Sequence, residues 1–235
     1  MTTYVLVHGS CLGGWVWGRV RPILENRGHR VLAPSLTGLS DRAHLAGPEV
    51  GLTTHIQDIA RLLEWEELED VVLVGASYAG MVITGVAGIV PERIGHLVYL
   101  DAFWPKPGQS AFDQLPHLPA QLLGAATAEQ PWAFPLPKDL SSFGLVDPTD
   151  LAFMHNHTTP MPILTHSEPL PEPIKLPAEP IPTTYVQGAA LPIFDKVAEM
   201  AEAEGARVIL WEDASHILPV THPARIADLL LDIGS

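Results

Sequence analysis

The chain has 235 residues, 47% apolar and 17% charged, a composition that supports a sizeable core and excludes a disordered chain or a coiled coil. Acidic residues outnumber basic ones by 27 to 13, and the net charge of −14 sets the surface against nucleic acid and anionic lipid. The single cysteine, Cys11, rules out an internal disulfide and a multi-cysteine metal site, and it fits a reducing, cytoplasmic compartment.

Its length predicts one large domain or at most two small ones. The N-terminus reaches His8 without a basic leader or a long apolar stretch, so no secretion signal is expected. Apolar runs bounded by turn residues recur at 4–7, 30–33, 71–74, 96–100, 183–186 and 207–211. They are continuously apolar and do not alternate, which predicts central strands of a mostly parallel sheet flanked by helices. Helical patterns fill most of the gaps. Thr54-His-Ile-Gln57 reads as a capping box ahead of an apolar face of Ile56, Ile59, Ala60, Leu62 and Leu63. Thr221 is placed to cap a last helix with Ile226, Leu229, Leu230 and Ile233 as its buried stripe. Strands alternating with helices mean α/β. Residues 71–90 are twenty without a charge, the length of a membrane span. Four glycines with Ser77, Tyr78 and Thr84 make a poor span, and a buried strand turning into a buried helix is expected instead of a membrane segment.

The alternation breaks after Asp101. Of the 23 prolines, 17 lie between Pro105 and Pro192, densest over 160–182. Proline lacks the amide hydrogen a sheet needs, so this stretch is read as an insertion. Its aromatics are too many for a solvated linker, so it is expected to be a folded, proline-rich cap at 102–182 over a core made of 1–101 and 183–235.

Candidate chemistry centres on Ser77. In Val71-Val-Leu-Val-Gly-Ala-Ser77-Tyr-Ala-Gly80 a serine sits at a strand-to-helix turn, where crowding demands small residues two before and two after it. Gly75 and Ala79 meet that demand. The Gly-rich loop His8-Gly-Ser-Cys-Leu-Gly-Gly14, directly after the first strand, can aim backbone amides at a developing oxyanion. His216 follows the last strand, 139 residues after Ser77, in the chain order expected of such a site. His29, His44, His55, His96 and His222 are read as surface or strand-start residues, and His155 and His157 as solvated or substrate-facing; no metal site is expected.

Together with Arg27-Gly-His-Arg-Val31, Leu100-Asp101-Ala-Phe and Ala214-Ser-His216, these motifs resemble the α/β-hydrolase superfamily. The chain is most similar there to plant methyl esterases, hydroxynitrile lyases and related bacterial esterases. The resemblance covers about 3–101 and 183–233 and fades in the insertion. It implies the α/β-hydrolase fold and a Ser-His-acid hydrolase without a cofactor, with Ser77 as nucleophile, His216 as general base, and the amides of Ser10 and Tyr78 as oxyanion hole. The lyases of this group carry threonine and lysine where this chain has Gly9 and Ile217, which favours hydrolysis. Family members usually place the acid where this chain has Leu191. The fold allows an alternative at the end of the strand after the nucleophile helix, which is Asp101; Asp213 and Asp195 are its rivals.

The leading expectation is therefore a serine carboxylesterase acting on a small apolar ester or lactone, with Trp104, Phe112, Trp132 and Phe134 lining the pocket. A lyase or decarboxylase on the same site, and a ligand-binding member with weak catalysis, remain as alternatives. The expected partner is a small molecule, and a homodimer is left open.

Overall fold

A computed structural model of the chain describes residues 1–172, 180–190 and 192–235. In chain order, β1 (Thr3–Val7), α1 (Arg21–Glu25), β2 (Arg30–Leu32), α2 (Leu52–Trp65), β3 (Val71–Ala76), α3 (Ala79–Ala87) and β4 (Ile94–Leu100) alternate. The stretch after β4 contributes α4 (Ala111–Gln114), α5 (Leu118–Ala125), β5 (Ala133–Phe134), α6 (Pro148–His155), β6 (Met161–Pro162) and α7 (Leu164–Ser167). Alternation resumes with β7 (Thr183–Gly188), α8 (Asp195–Ala203), β8 (Arg207–Trp211), α9 (Leu218–Thr221) and α10 (Pro223–Ile233).

Six strands form one sheet in the order β2-β1-β3-β4-β7-β8, every neighbouring pair parallel. Residues two apart along a strand share a face, so each strand feeds two cores. Val5, Val7, Leu73, Tyr99 and Tyr185 pack with α2, α3 and α8 on one side. Tyr4, Leu6, Val74, Val98 and Val186 pack with α1 and α10 on the other. Burial on both faces is why the inner strands β1 and β3 read as unbroken apolar runs. β5 and β6 pair antiparallel, apart from this sheet.

Two capping expectations fail. The α2 helix starts at Leu52, so Thr54 lies inside it and makes no cap. The role falls to Glu168, whose carboxylate accepts from the Thr53 amide at 3.0 Å and the Thr53 hydroxyl at 2.7 Å. Thr221 closes α9 instead of opening α10, its hydroxyl donating back to Ile217 O at 3.1 Å.

The chain leaves β1 towards β2 on one side and returns to β3 on the other. The carboxyl ends of β1 and β3 therefore flank the point where the winding direction reverses, the place where open α/β sheets form a crevice.

Candidate active site

Ser77 stands at that crevice, one residue past β3. Its backbone is left-handed, with φ of 53°, a conformation costly for a residue with a Cβ and held here by its surroundings. Its amide donates to Leu100 O (3.1 Å) and its carbonyl accepts from Phe103 (3.2 Å) and Gly80 (3.0 Å). A Cβ on Gly75 would lie 2.8 Å from Ala79 O, and one on Gly80 only 2.0 Å from Phe103 O. Close approach of α3 to β3 and to the chain leaving β4 thus requires glycine at both positions.

His216 lies in the turn between β8 and α9. Its Nε2 is 2.9 Å from Ser77 Oγ and its Nδ1 2.7 Å from Asp101 Oδ2. Asp101 is 1% exposed, has φ of 45°, and its second oxygen accepts from the Gly188 amide at 3.2 Å. With Asp101 ionised, Nδ1 must carry the proton it donates, leaving the Nε2 lone pair to accept from Ser77. The structure therefore brings Ser77, His216 and Asp101 into one relay. Both rival carboxylates are spent elsewhere: Asp213 is exposed and paired with Arg225 at 2.8 Å, and Asp195 accepts from Gln187 at 2.7 Å. Leu191 lies outside the described residues.

The first loop approaches from β1. His8 is fully buried; its Nε2 accepts from the Leu36 amide (3.0 Å), so its Nδ1 donates to Gly9 O (2.9 Å). Burial pushes its pKa down to about 4, so it stays neutral. A Cβ on Gly9 would lie 3.1 Å from Ser77 Cβ, which shows how tightly this loop meets the serine. Among the described residues, the amides of Ser10 and Tyr78 have no hydrogen-bond partner.

Two buried histidines frame Tyr78. His55, expected at the surface, accepts from the Tyr78 hydroxyl at 3.0 Å and donates to Thr37 O at 2.8 Å. It lies on the inner face of α2, and a histidine in a helix stripe gives no sign of which way it points. His166, from the inserted stretch, stacks on the Tyr78 ring at 4.7 Å and meets Ser10 Oγ through Nε2 at 3.0 Å. Burial holds its pKa down to about 3. Nothing in its proline-rich surroundings singles it out in the sequence. His155 is exposed, and His157 donates to Phe153 O at 2.7 Å.

Above Ser77 and His216 opens a cavity of about 270 Å³ with mostly apolar walls. Of the four aromatics expected there, only Phe134 lines it. Trp104 turns away towards Tyr99 and donates to Glu204 at 2.9 Å; Phe112 packs behind His166; Trp132 uses its carbonyl to extend the β5–β6 pairing through Ile163. Their place is taken by Phe103, Phe143 and Phe194, the last stacked on the His216 ring at 5.5 Å. Among the described residues no lysine or arginine lines the cavity. The arrangement can move a proton off a serine hydroxyl beside free amide donors and an apolar space.

Comparison with known proteins agrees with this architecture. Over 116 residues the chain is 53% identical to a carbendazim hydrolyzing esterase from Nocardioides sp. (strain SG-4G), covering 49% of this chain and 48% of that one. It is 36% identical over 112 residues to methylesterase 8 of Arabidopsis thaliana, covering 43% and 38%. These matches span half or less of the relatives' own lengths. The solved extracellular alpha/beta-hydrolase from a Paenibacillus species superimposes with a TM-score of 0.82 over 100% of this chain and 99% of its own, at 24% identity, a likeness of fold. The family model described as "Alpha/beta hydrolase family" matches residues 4–229, and the chain belongs to that family.

Proposed function

We propose that the chain is a serine carboxylesterase that hydrolyses a small, largely apolar carboxylic ester or lactone. The observation that carries this reading is the continuous relay from Ser77 Oγ through His216 to Asp101 at the floor of an apolar cavity. Ser77 Oγ attacks the carbonyl carbon while His216 Nε2 takes its proton, and the oxyanion receives the amides of Ser10 and Tyr78. Collapse of the tetrahedral intermediate breaks the ester C–O bond, and His216 returns the proton to the leaving alcohol. Water then repeats the sequence on the acyl-serine and releases the acid. Buried Asp101 holds the imidazole in the required tautomer and balances its transient charge.

In this reading the described part of 102–182 acts as a cap, supplying Phe134 and Phe143 to the cavity over the described part of a core of 1–101 and 183–235; residues 173–179 and 191 lie outside the described residues. The relatives named as esterases support the same reaction class. A lyase expelling an anion would be helped by a cation at the site; the cavity wall offers buried Ile217 directly after His216.

The experiment compares p-nitrophenyl acetate hydrolysis by the wild type and Ser77→Ala, with mass spectrometry after fluorophosphonate treatment. A loss of turnover of about 10⁴-fold or more and a single adduct on Ser77 are expected. Equal rates for the two proteins would end the proposal.

A further inference from the structure

The inserted stretch grips the loop that follows β1. Thr159 donates its amide to Cys11 O at 3.1 Å, the Cys11 amide meets Met161 Sδ at 3.4 Å, and Ser10 Oγ meets His166 Nε2 at 3.0 Å. With Cys11 Sγ donating to Phe134 O at 3.5 Å, four contacts fall on two consecutive residues, one of which, Cys11, is held left-handed at φ of 63°. The direction of the bond between Ser10 and His166 follows from donor counting. Thr165 Oγ1 gives its hydrogen to Pro162 O at 2.6 Å, so it accepts from His166 Nδ1 at 2.9 Å. His166 Nε2 is therefore bare, and Ser10 Oγ–H is the donor. The same imidazole lies 4.7 Å from the Tyr78 ring, tilted only 20° from it. One side chain, 2% exposed, touches both residues whose amides face the developing charge in the esterase reading.

We propose that His166 is a positioning residue for the reaction at Ser77: by accepting the Ser10 hydroxyl and stacking on Tyr78 it holds the two oxyanion-hole peptides in place before charge develops. Hydrogen-bond donors lower a barrier most when they need not reorganise as the charge appears, so an anchor behind them acts on the transition state. The inference rests on the esterase reading. It adds that the insertion, besides enclosing substrate, sets the geometry of the first loop.

The test measures kcat and KM for p-nitrophenyl acetate in His166→Asn, His166→Gln, Ser10→Ala and the Ser10→Ala/His166→Asn pair, with Ser77→Ala alongside and a thermal melt of each. His166→Asn, whose short amide falls back to the place of Nδ1, is expected to lower kcat about tenfold or more with KM within about threefold. His166→Gln, whose amide oxygen reaches the place of Nε2, is expected to recover most of that loss. Ser10→Ala is expected to lower kcat by a similar factor, and the pair to lose no more than either single change. A kcat for His166→Asn within about twofold of wild type, multiplying losses in the pair, or equal impairment of Gln and Asn variants alike, with kcat tracking the melt, would each overturn the assignment. Undiminished turnover by Ser77→Ala would instead overturn the esterase reading beneath it, a result obtained with His166 intact.

Discussion

Replacing Asp101 with asparagine removes a charge and almost no volume, and the structure dictates what the new amide must do. The Gly188 amide at 3.2 Å needs an acceptor, and so does the proton on His216 Nδ1 at 2.7 Å, but an asparagine offers one oxygen for the two. If the oxygen serves Gly188, the NH₂ group faces Nδ1, drives the proton to Nε2, and leaves the imidazole unable to accept from Ser77. If the oxygen serves His216, two donors meet at Gly188, at a cost of about 1 to 3 kcal/mol for a buried unsatisfied amide. The productive orientation is thus a minor state, about one molecule in ten to one in a hundred. It also lacks the buried carboxylate that balances the imidazolium, so the combined loss in kcat is expected to reach about 10³- to 10⁴-fold, the scale of such tautomer traps. The assay is steady-state hydrolysis of p-nitrophenyl acetate, with a melt to show that the variant folds. Asp213→Asn and Asp195→Asn are expected to stay within about threefold of wild type, since neither carboxylate touches His216. A loss below tenfold at Asp101 would refute the reasoning that this carboxylate sets the imidazole tautomer.

Other expectations follow from the packing. Burial sets the folded pKa values of His8 and His166 at about 4 and about 3, below the ordinary 6.5, so the unfolded chain protonates first. Stability is then full above pH 6.5 and falls as the pH drops towards 4, by about 3 kcal/mol for His8 alone; a urea midpoint unchanged between pH 7.5 and 4.5 would contradict this. Gly80→Ala drives a Cβ to 2.0 Å from Phe103 O, a backbone atom that cannot step aside, and is expected to cost about 3 kcal/mol in urea unfolding. Gly124→Ala, in open space on α5, is expected to gain about 0.5 to 1 kcal/mol, and a loss there would show the crowding account to be wrong. Glu168→Ala strips the cap from α2 and is expected to lower stability by about 1 kcal/mol, a shift of roughly 2 to 4 °C in Tm.

The inner strands β1 and β3 are legible because two-sided burial writes an unbroken apolar run into each, and Ser77 because crowding demands small residues at 75 and 80. Asp101 is legible only with a fold in mind, since its place at the end of β4 means nothing until β3 and β4 are known to be neighbours. Helix caps are less readable: α2 takes its cap from Glu168, 115 residues away, where no local pattern can reveal it. The cavity wall is least legible. Trp104 and Phe112 are as apolar as Phe103 and Phe143, and which ring faces the opening depends on how an irregular, proline-rich stretch winds above the sheet. His166 escapes notice for the same reason.

In the esterase reading Asp101, just past β4, orients the imidazole by hydrogen bond, and among the described residues the connection after β7 gives that ring a stacked Phe194 and no carboxylate. That connection contributes Ile193 and Phe194 to the chamber, while Gly188, the last residue of β7, binds the carboxylate through its backbone amide. On that reading, substrate preference can drift through Ile193 while the proton pathway stays intact, which makes selectivity and turnover separable traits.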